Sequence, residues 1–185
     1  STEKTLVSLM HINNEVGNML DIKAVAKLCK SHNALFHCDT VQSVGHFKLD
    51  FSEIPVDFTA VSAHKFHGPK GVGFAFIRKN SGLKPMIVGG SQERGIRAGT
   101  ESVHNIVGLS EALNISYANL EEEKSYIKSL KQYFKDQLQE HIPEASLNGG
   151  CSDNDNSTYT LLNVCLPIAA EKAVLLLFQL DLNGI

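Results

Sequence analysis

No stretch of this sequence approaches the roughly 18 consecutive apolar residues that a membrane-crossing helix requires, and its first residues lack a secretory-signal pattern. Neither sign of charge dominates. Seventeen Lys and Arg stand against 20 Asp and Glu, a net of −3 with the signs interspersed, so the basic footprint of a nucleic-acid or anionic-membrane binder is missing. The four cysteines (Cys29, Cys38, Cys151, Cys165) form no C-x-x-C pair and follow no regular spacing. That excludes a disulfide framework and suits reduced thiols in a cytoplasmic protein. No G-x-x-x-x-G-K-[ST] occurs, which disfavours a nucleotide P-loop. His64 and His67 form H-x-x-H, and His37-x-Asp39 adds little to it, so no metal is expected. There are no repeats and no low-complexity tracts. What remains is an ordinary globular composition, 43% apolar and 20% charged, over 185 residues. That is enough for one domain, or one domain and part of another.

Residues 5–10 (TLVSLM) read as a buried strand, followed by a polar loop at 11–17 (HINNEVG). Asp21 is placed as the N-cap of an amphipathic helix, with Ile22, Val25, Ala26 and Cys29 on one face. Residues 34–38 (ALFHC) read as a second strand ending at Asp39, which makes a parallel βαβ unit. Strands follow near 58–62 and 73–78, the last pair antiparallel because only a loop joins them. Residues 89–100 (GGSQERGIRAGT) form a polar loop, and from Glu101 to about His141 the pattern is helical. Within it, 121–124 reads as a solvated helix face. Residues 146–148 and 159–166 then read as strands with a turn-rich loop at 149–157 between them, and 171–180 as a helix. The expected fold class is α/β: a mostly parallel sheet with helices over 1–120, then part of a smaller α+β domain over 121–185.

In open α/β sheets ligands bind beyond the carboxyl ends of the strands. Asn14, Asp39 and Lys65 fall at three such ends. A lysine in that place can attack a carbonyl and form a Schiff base. Pyridoxal phosphate exploits this, and it also needs an acid for its pyridinium nitrogen and donors for its phosphate. Asp39 can be the acid, Gln42 can reach the ring hydroxyl, and Ser62 and His64 can serve the phosphate. The plainer alternatives are a surface lysine, a turn-capping aspartate, a surface glutamine and a structural histidine. Gly68, Gly71 and Gly73 allow close backbone approach and a tight turn after the lysine.

Four stretches, MHINNEVG (10–17), HCDTVQSVG (37–45), SAHKFHGPKGVG (62–73) and GGSQERGIRAGT (89–100), together resemble the cysteine desulfurases, specifically their nitrogenase and iron–sulfur-cluster branch. These are fold-type I pyridoxal-phosphate enzymes of the class V aminotransferase group. The resemblance implies Lys65 as the catalytic residue that binds the cofactor. It implies Asp39 at the ring nitrogen, Gln42 at the ring hydroxyl near Asn14, and Ser62 and His64 on the phosphate. Thr100 would reach the phosphate of a partner subunit, which makes the site a property of a homodimer. Arg94 and Arg97 match the motif and are assigned no chemistry. The implied substrate is L-cysteine, and the implied sulfur acceptor is a protein such as an iron–sulfur scaffold.

The resemblance also implies parts not found in these residues. The family's nucleophilic cysteine follows a D-L-x-x-x-G-I-like segment, which 181–185 (DLNGI) resembles. None of the four cysteines lies in such a loop. The substrate-carboxylate arginine, the phosphate loop and the ring-stacking histidine are also unmatched, and His104 is not that histidine. The expectation is an internal fragment that binds the cofactor weakly or not at all and turns over no cysteine. Alternatives are a selenocysteine lyase, a cysteine sulfinate desulfinase, a transaminase of the same group, or a non-catalytic interaction module.

Overall fold

A computed structural model describes residues 4–153 and 156–185. The lead-in at 1–3 and the middle of the loop expected at 149–157 lie outside the described residues. Four strands form one sheet in sequential order: β1 (Leu6–Met10), β2 (Leu35–Asp39), β3 (Phe58–Ser62) and β4 (Gly73–Ile77). The first three run parallel, and β4 pairs antiparallel with β3, as the short connection dictates.

Between β1 and β2 runs α1 (Ile22–Ser31). Asp21 caps it, its carboxylate accepting the Ala24 N–H at 2.9 Å. Ile22, Ala26 and Cys29 recur at helical spacing and are buried against Phe36 and Cys38 of β2, with Ile54 and Val56. Because strand side chains alternate, Phe36 and Cys38 face α1 while Asp39 lies on the opposite side of β2. Asp21→Ala should therefore lower stability by about 1 kcal/mol, the usual loss for an N-cap. A urea melt checks this, and an unchanged midpoint would mean the cap is redundant.

The helical run divides into α2 (Val103–Ala118) and α3 (Leu120–His141) at Asn119, which closes one helix and opens the next. Glu121, Glu122 and Glu123 sit in the first turn of α3, where the helix dipole favours negative charge. Leu109 of α2 packs with Val44, Val61, Ala63 and Phe66, a second core cluster that includes both ends of the short helix carrying Lys65.

The expected strand at 159–166 is corrected to β6 (Val164–Cys165), paired with β5 (Ser146–Leu147). The preceding residues bond elsewhere. Thr160 N–H donates to Thr158 Oγ1 at 3.3 Å and Asn163 N–H to Cys151 Sγ at 3.4 Å, while Thr158 N–H just ahead of them donates to Gly17 O, so these N–H groups are not offered to a sheet. Helix α4 (Ala170–Leu182) ends the described chain. Cys29, Cys38 and Cys151 are buried and Cys165 is exposed, all of them free thiols. No helix among the described residues is long and apolar enough to cross a membrane.

Candidate active site

Register brings the ends of β1 and β2 level. Met10 pairs with Asp39, and Asp39 pairs with Ala60, so β3 runs two residues further in the same direction, to Ser62. His11 N–H donates to Asp39 O at 2.9 Å and Thr40 N–H to Ala60 O at 3.1 Å, which ties the loops leaving β1 and β2 to the neighbouring strands.

Lys65 does not sit at the strand end itself. It is the third residue of a short 3₁₀ helix, Ala63–Phe66, that follows β3 directly. His67 closes that turn in the left-handed conformation at φ 65°, and Gly68 N–H donates to Ala63 O. Two glycines fit the turn against its surroundings. A Cβ on Gly73 would lie 2.1 Å from Val61 O, and one on Gly45 would lie 2.5 Å from Phe66 Cβ. The turn at 40–47 is thereby pressed onto the lysine turn, and Asp39 and Lys65 belong to one packed unit.

Asp39 is half-buried, and one of its carboxylate oxygens accepts the Val41 N–H at 2.9 Å. That orients the side chain and leaves the second oxygen without a partner among the described residues. Gln42, Ser62 and Lys65 are half-buried and His64 is exposed. None of these four side chains spends its polar atoms on a hydrogen bond or ion pair among the described residues. Asn14 is exposed in the turn after β1, where its amide donates to Glu15. Thr100 is different. It is exposed beyond the Ile87–Arg97 bridge and shares no hydrogen bond with the other predicted residues.

Three further residues frame the group and carried no signal in the sequence. His11 is buried, its ring edge-on to Phe47 at 6.2 Å and its Nδ1 unpartnered. Burial lowers its pKa below the ordinary histidine value, so the ring stays neutral in neutral solution. His46 Nε2 lies 3.0 Å from Lys65 O, and the Tyr159 hydroxyl donates to His46 O at 3.1 Å. Burial, with Glu123 and Glu121 adding to it, raises the Tyr159 phenol to about 12. The folded state therefore keeps a proton that the unfolded chain gives up at 10.0, so stability should fall between pH 10 and 12. Chemical melts across that window should show the fall, and Tyr159→Phe should flatten it. An equal slope in both proteins would contradict the burial of that hydroxyl.

The set has a definite chemistry. An amine, a carboxylate with one oxygen free, an amide, a hydroxyl and an imidazole lie in the segments at the carboxyl ends of two neighbouring parallel strands, where α/β sheets deliver ligand groups. An electrophilic carbonyl, a basic ring nitrogen and an anionic phosphate are what such donors complement, and pyridoxal phosphate carries all three. Cys38 adds no nucleophile, because burial first and the Asp39 charge second push its thiol to about 12.

Known proteins are similar to this chain in sequence and fold. A cysteine desulfurase IscS of Dictyoglomus turgidum is 38% identical over 180 residues, which cover 97% of this chain and 44% of that protein. The X-ray structure of a NifS-like protein from Rickettsia africae superposes with a TM-score of 0.84 at 33% identity, over 96% of this chain and 48% of the other. SspA in complex with cysteine superposes at 0.70 and 30% identity, over 90% of this chain and 45% of the other. The chain thus spans about half the length of the relatives it matches. The sequence model of the family described as Aminotransferase class-V matches residues 1–184, and with that match, on the mostly parallel α/β fold described above, the chain belongs to the class-V aminotransferase family.

Proposed function

We propose that the chain is the lysine-bearing part of a pyridoxal-phosphate-dependent cysteine desulfurase, an enzyme that converts L-cysteine to L-alanine and passes the sulfur on as a persulfide. One observation carries the reading. A half-buried lysine with an unengaged amine lies in the short helix after β3, packed against the turn that follows an aspartate with one carboxylate oxygen free on the adjoining strand. The cysteine desulfurase name of the relatives and the cysteine in the SspA complex support the substrate class.

When bound, pyridoxal phosphate draws electrons away from the substrate α-carbon. Asp39 would hold a proton at the ring nitrogen, its orientation set by the Val41 N–H. Gln42 would donate to the ring hydroxyl, with Asn14 beside it, and Ser62 and His64 would donate to the phosphate. Lys65 Nζ would bind the cofactor covalently and, once displaced by the substrate amine, move the proton at the substrate α-carbon. Thr100 is exposed and shares no hydrogen bond with this set, which suits a contribution to a second copy in a homodimer. The sulfur acceptor would be a protein such as an iron–sulfur scaffold. We divide the chain near residue 120 into a cofactor-binding part and part of a smaller domain. Its free, mostly buried thiols suit the reducing cytoplasm.

No cysteine here has the setting of the sulfur-accepting thiolate. Cys29, Cys38 and Cys151 are buried, and Cys165 lies on β6. We therefore expect no alanine from L-cysteine with this chain alone, and a measurable yield would contradict that. The site itself is tested by incubating the chain with millimolar pyridoxal phosphate, reducing with borohydride and mapping the adduct. The expected result is modification mainly at Lys65. A spread over Lys70, Lys79 and Lys84 in proportion to exposure would overturn the assignment.

A further inference from the structure

We propose that His46 is a positioning residue for Lys65 and that Tyr159 holds His46 in place; the proposal rests on reading Lys65 as the cofactor lysine. The Lys65 carbonyl belongs to a 3₁₀ helix of four residues, too short to give it a partner of its own. His46 Nε2 fills that role at 3.0 Å, and because a carbonyl only accepts, the proton must be on Nε2. The same turn that carries His46 begins at Asp39. Thr40 is bonded to Ala60 O, Val41 to the Asp39 carboxylate, and His46 to Lys65 O. The turn at 40–47 thus sets the separation between the acid and the amine, and His46 is its contact on the lysine side.

His46 is itself held from the far end of the chain. Its carbonyl accepts the Tyr159 hydroxyl at 3.1 Å, and the two rings meet edge to face at 6.3 Å. Tyr159 is 4% exposed and also packs on Phe47 at 5.4 Å. The backbone just before it is fixed by Lys131 of α3, whose ammonium donates to Ser157 Oγ at 3.2 Å and Thr158 O at 2.7 Å. The run from α3 through Tyr159 and His46 to Lys65 therefore connects the second part of the chain to the cofactor lysine. The relay works through hydrogen bonds to backbone carbonyls, so it fixes the lysine's backbone and leaves its amine free.

The test compares the wild-type chain with His46→Ala, His46→Gln and Tyr159→Phe by two readouts. The first is hydrogen exchange at the Gly68 amide, which is bonded inside the lysine turn and needs no cofactor. The second is the ratio of borohydride-trapped pyridoxal phosphate on Lys65 to that on exposed Lys70. His46→Ala should speed the exchange about fivefold or more and lower the ratio about threefold. His46→Gln, whose amide can still donate to the carbonyl, should restore both, and Tyr159→Phe, which keeps the ring and loses the hydroxyl, should move both part of the way. Unchanged values in His46→Ala, or a His46→Gln protein as impaired as His46→Ala, would overturn the proposal. Should His46→Ala not fold, the Tyr159→Phe exchange decides it, with no change counting against. A wild-type chain that shows no preference for Lys65 would instead overturn the cofactor reading and the proposal with it. That failure is told apart by the exchange data, which report the His46 contact alone.

Discussion

Lys65→Ala should abolish the borohydride-trapped adduct at position 65 and the visible band that goes with it when the chain meets pyridoxal phosphate, leaving only the background on exposed lysines such as Lys70. The loss is absolute because only a primary amine at that position can make the covalent link. The fold should not register the change. The Lys65 amine has no partner among the described residues, so its removal is an ordinary surface-type change within about ±0.5 kcal/mol. Asp39→Ala separates a second role. The lysine can still react, but the ring nitrogen loses its counter-charge. A hydrogen bond to a charged group is worth about 1.5–3 kcal/mol, so the cofactor should bind roughly 10–150 times more weakly at 1.4 kcal/mol per tenfold. Asp39→Asn keeps the shape and drops the charge. If it matches Asp39→Ala, the charge is what matters. If it matches wild type, Asp39 only shapes the turn through Val41. A visible band retained in Lys65→Ala, with trapping on Lys70 risen to the level that Lys65 shows in the wild type, would remove Lys65 from the site.

Most of what positions this site was legible in the sequence, and for local reasons. Runs such as LVSLM, LFHCD and FTAVS are short and mostly apolar, each leads into a polar stretch, and they became the three parallel strands of the sheet. Asp21 before a helical apolar face is a capping signal that depends on nothing distant, and it was found in place. The same locality hid the rest. The 3₁₀ helix at Ala63–Phe66 shifts Lys65 beyond the strand end, but four residues carry no periodicity to reveal it. Tyr159 and His46 are separated by more than a hundred residues and joined by one phenol-to-carbonyl bond, and such contacts leave no pattern in either segment. The expected strand at 159–166 failed for a related reason. Its composition suits a strand, but Thr158 Oγ1 and Cys151 Sγ take the N–H groups of Thr160 and Asn163. Asn119 divides α2 from α3 although good helix formers flank it on both sides, so the periodicity ran through the break.

Gly73→Ala should be the most damaging small change near the site. Its Cβ would sit 2.1 Å from Val61 O, a backbone atom that cannot turn aside as a side chain would. Relief requires β4 to move off β3, because Gly73 is paired with Ser62 at the strand's last position. That movement also strains the bond from Ala63 N–H to Val72 O, which seats the first residue of the lysine turn. Overpacking of this kind costs about 1–3 kcal/mol and occasionally more, and the rigid neighbour places this case at the upper end. Gly71→Ala provides the control. At φ +84 it demands the left-handed conformation, but a Cβ there meets nothing within 4 Å. Its loss should be the conformational part alone, about 1–2 kcal/mol. Urea melts of the two variants separate the mechanisms. Gly73→Ala should lose more stability than Gly71→Ala and should also lower the trapping of pyridoxal phosphate on Lys65, because only Gly73 is joined to the strand that carries the lysine turn. Equal losses would mean that β3 and β4 can separate there without cost, and the glycine would then serve the turn and not the site.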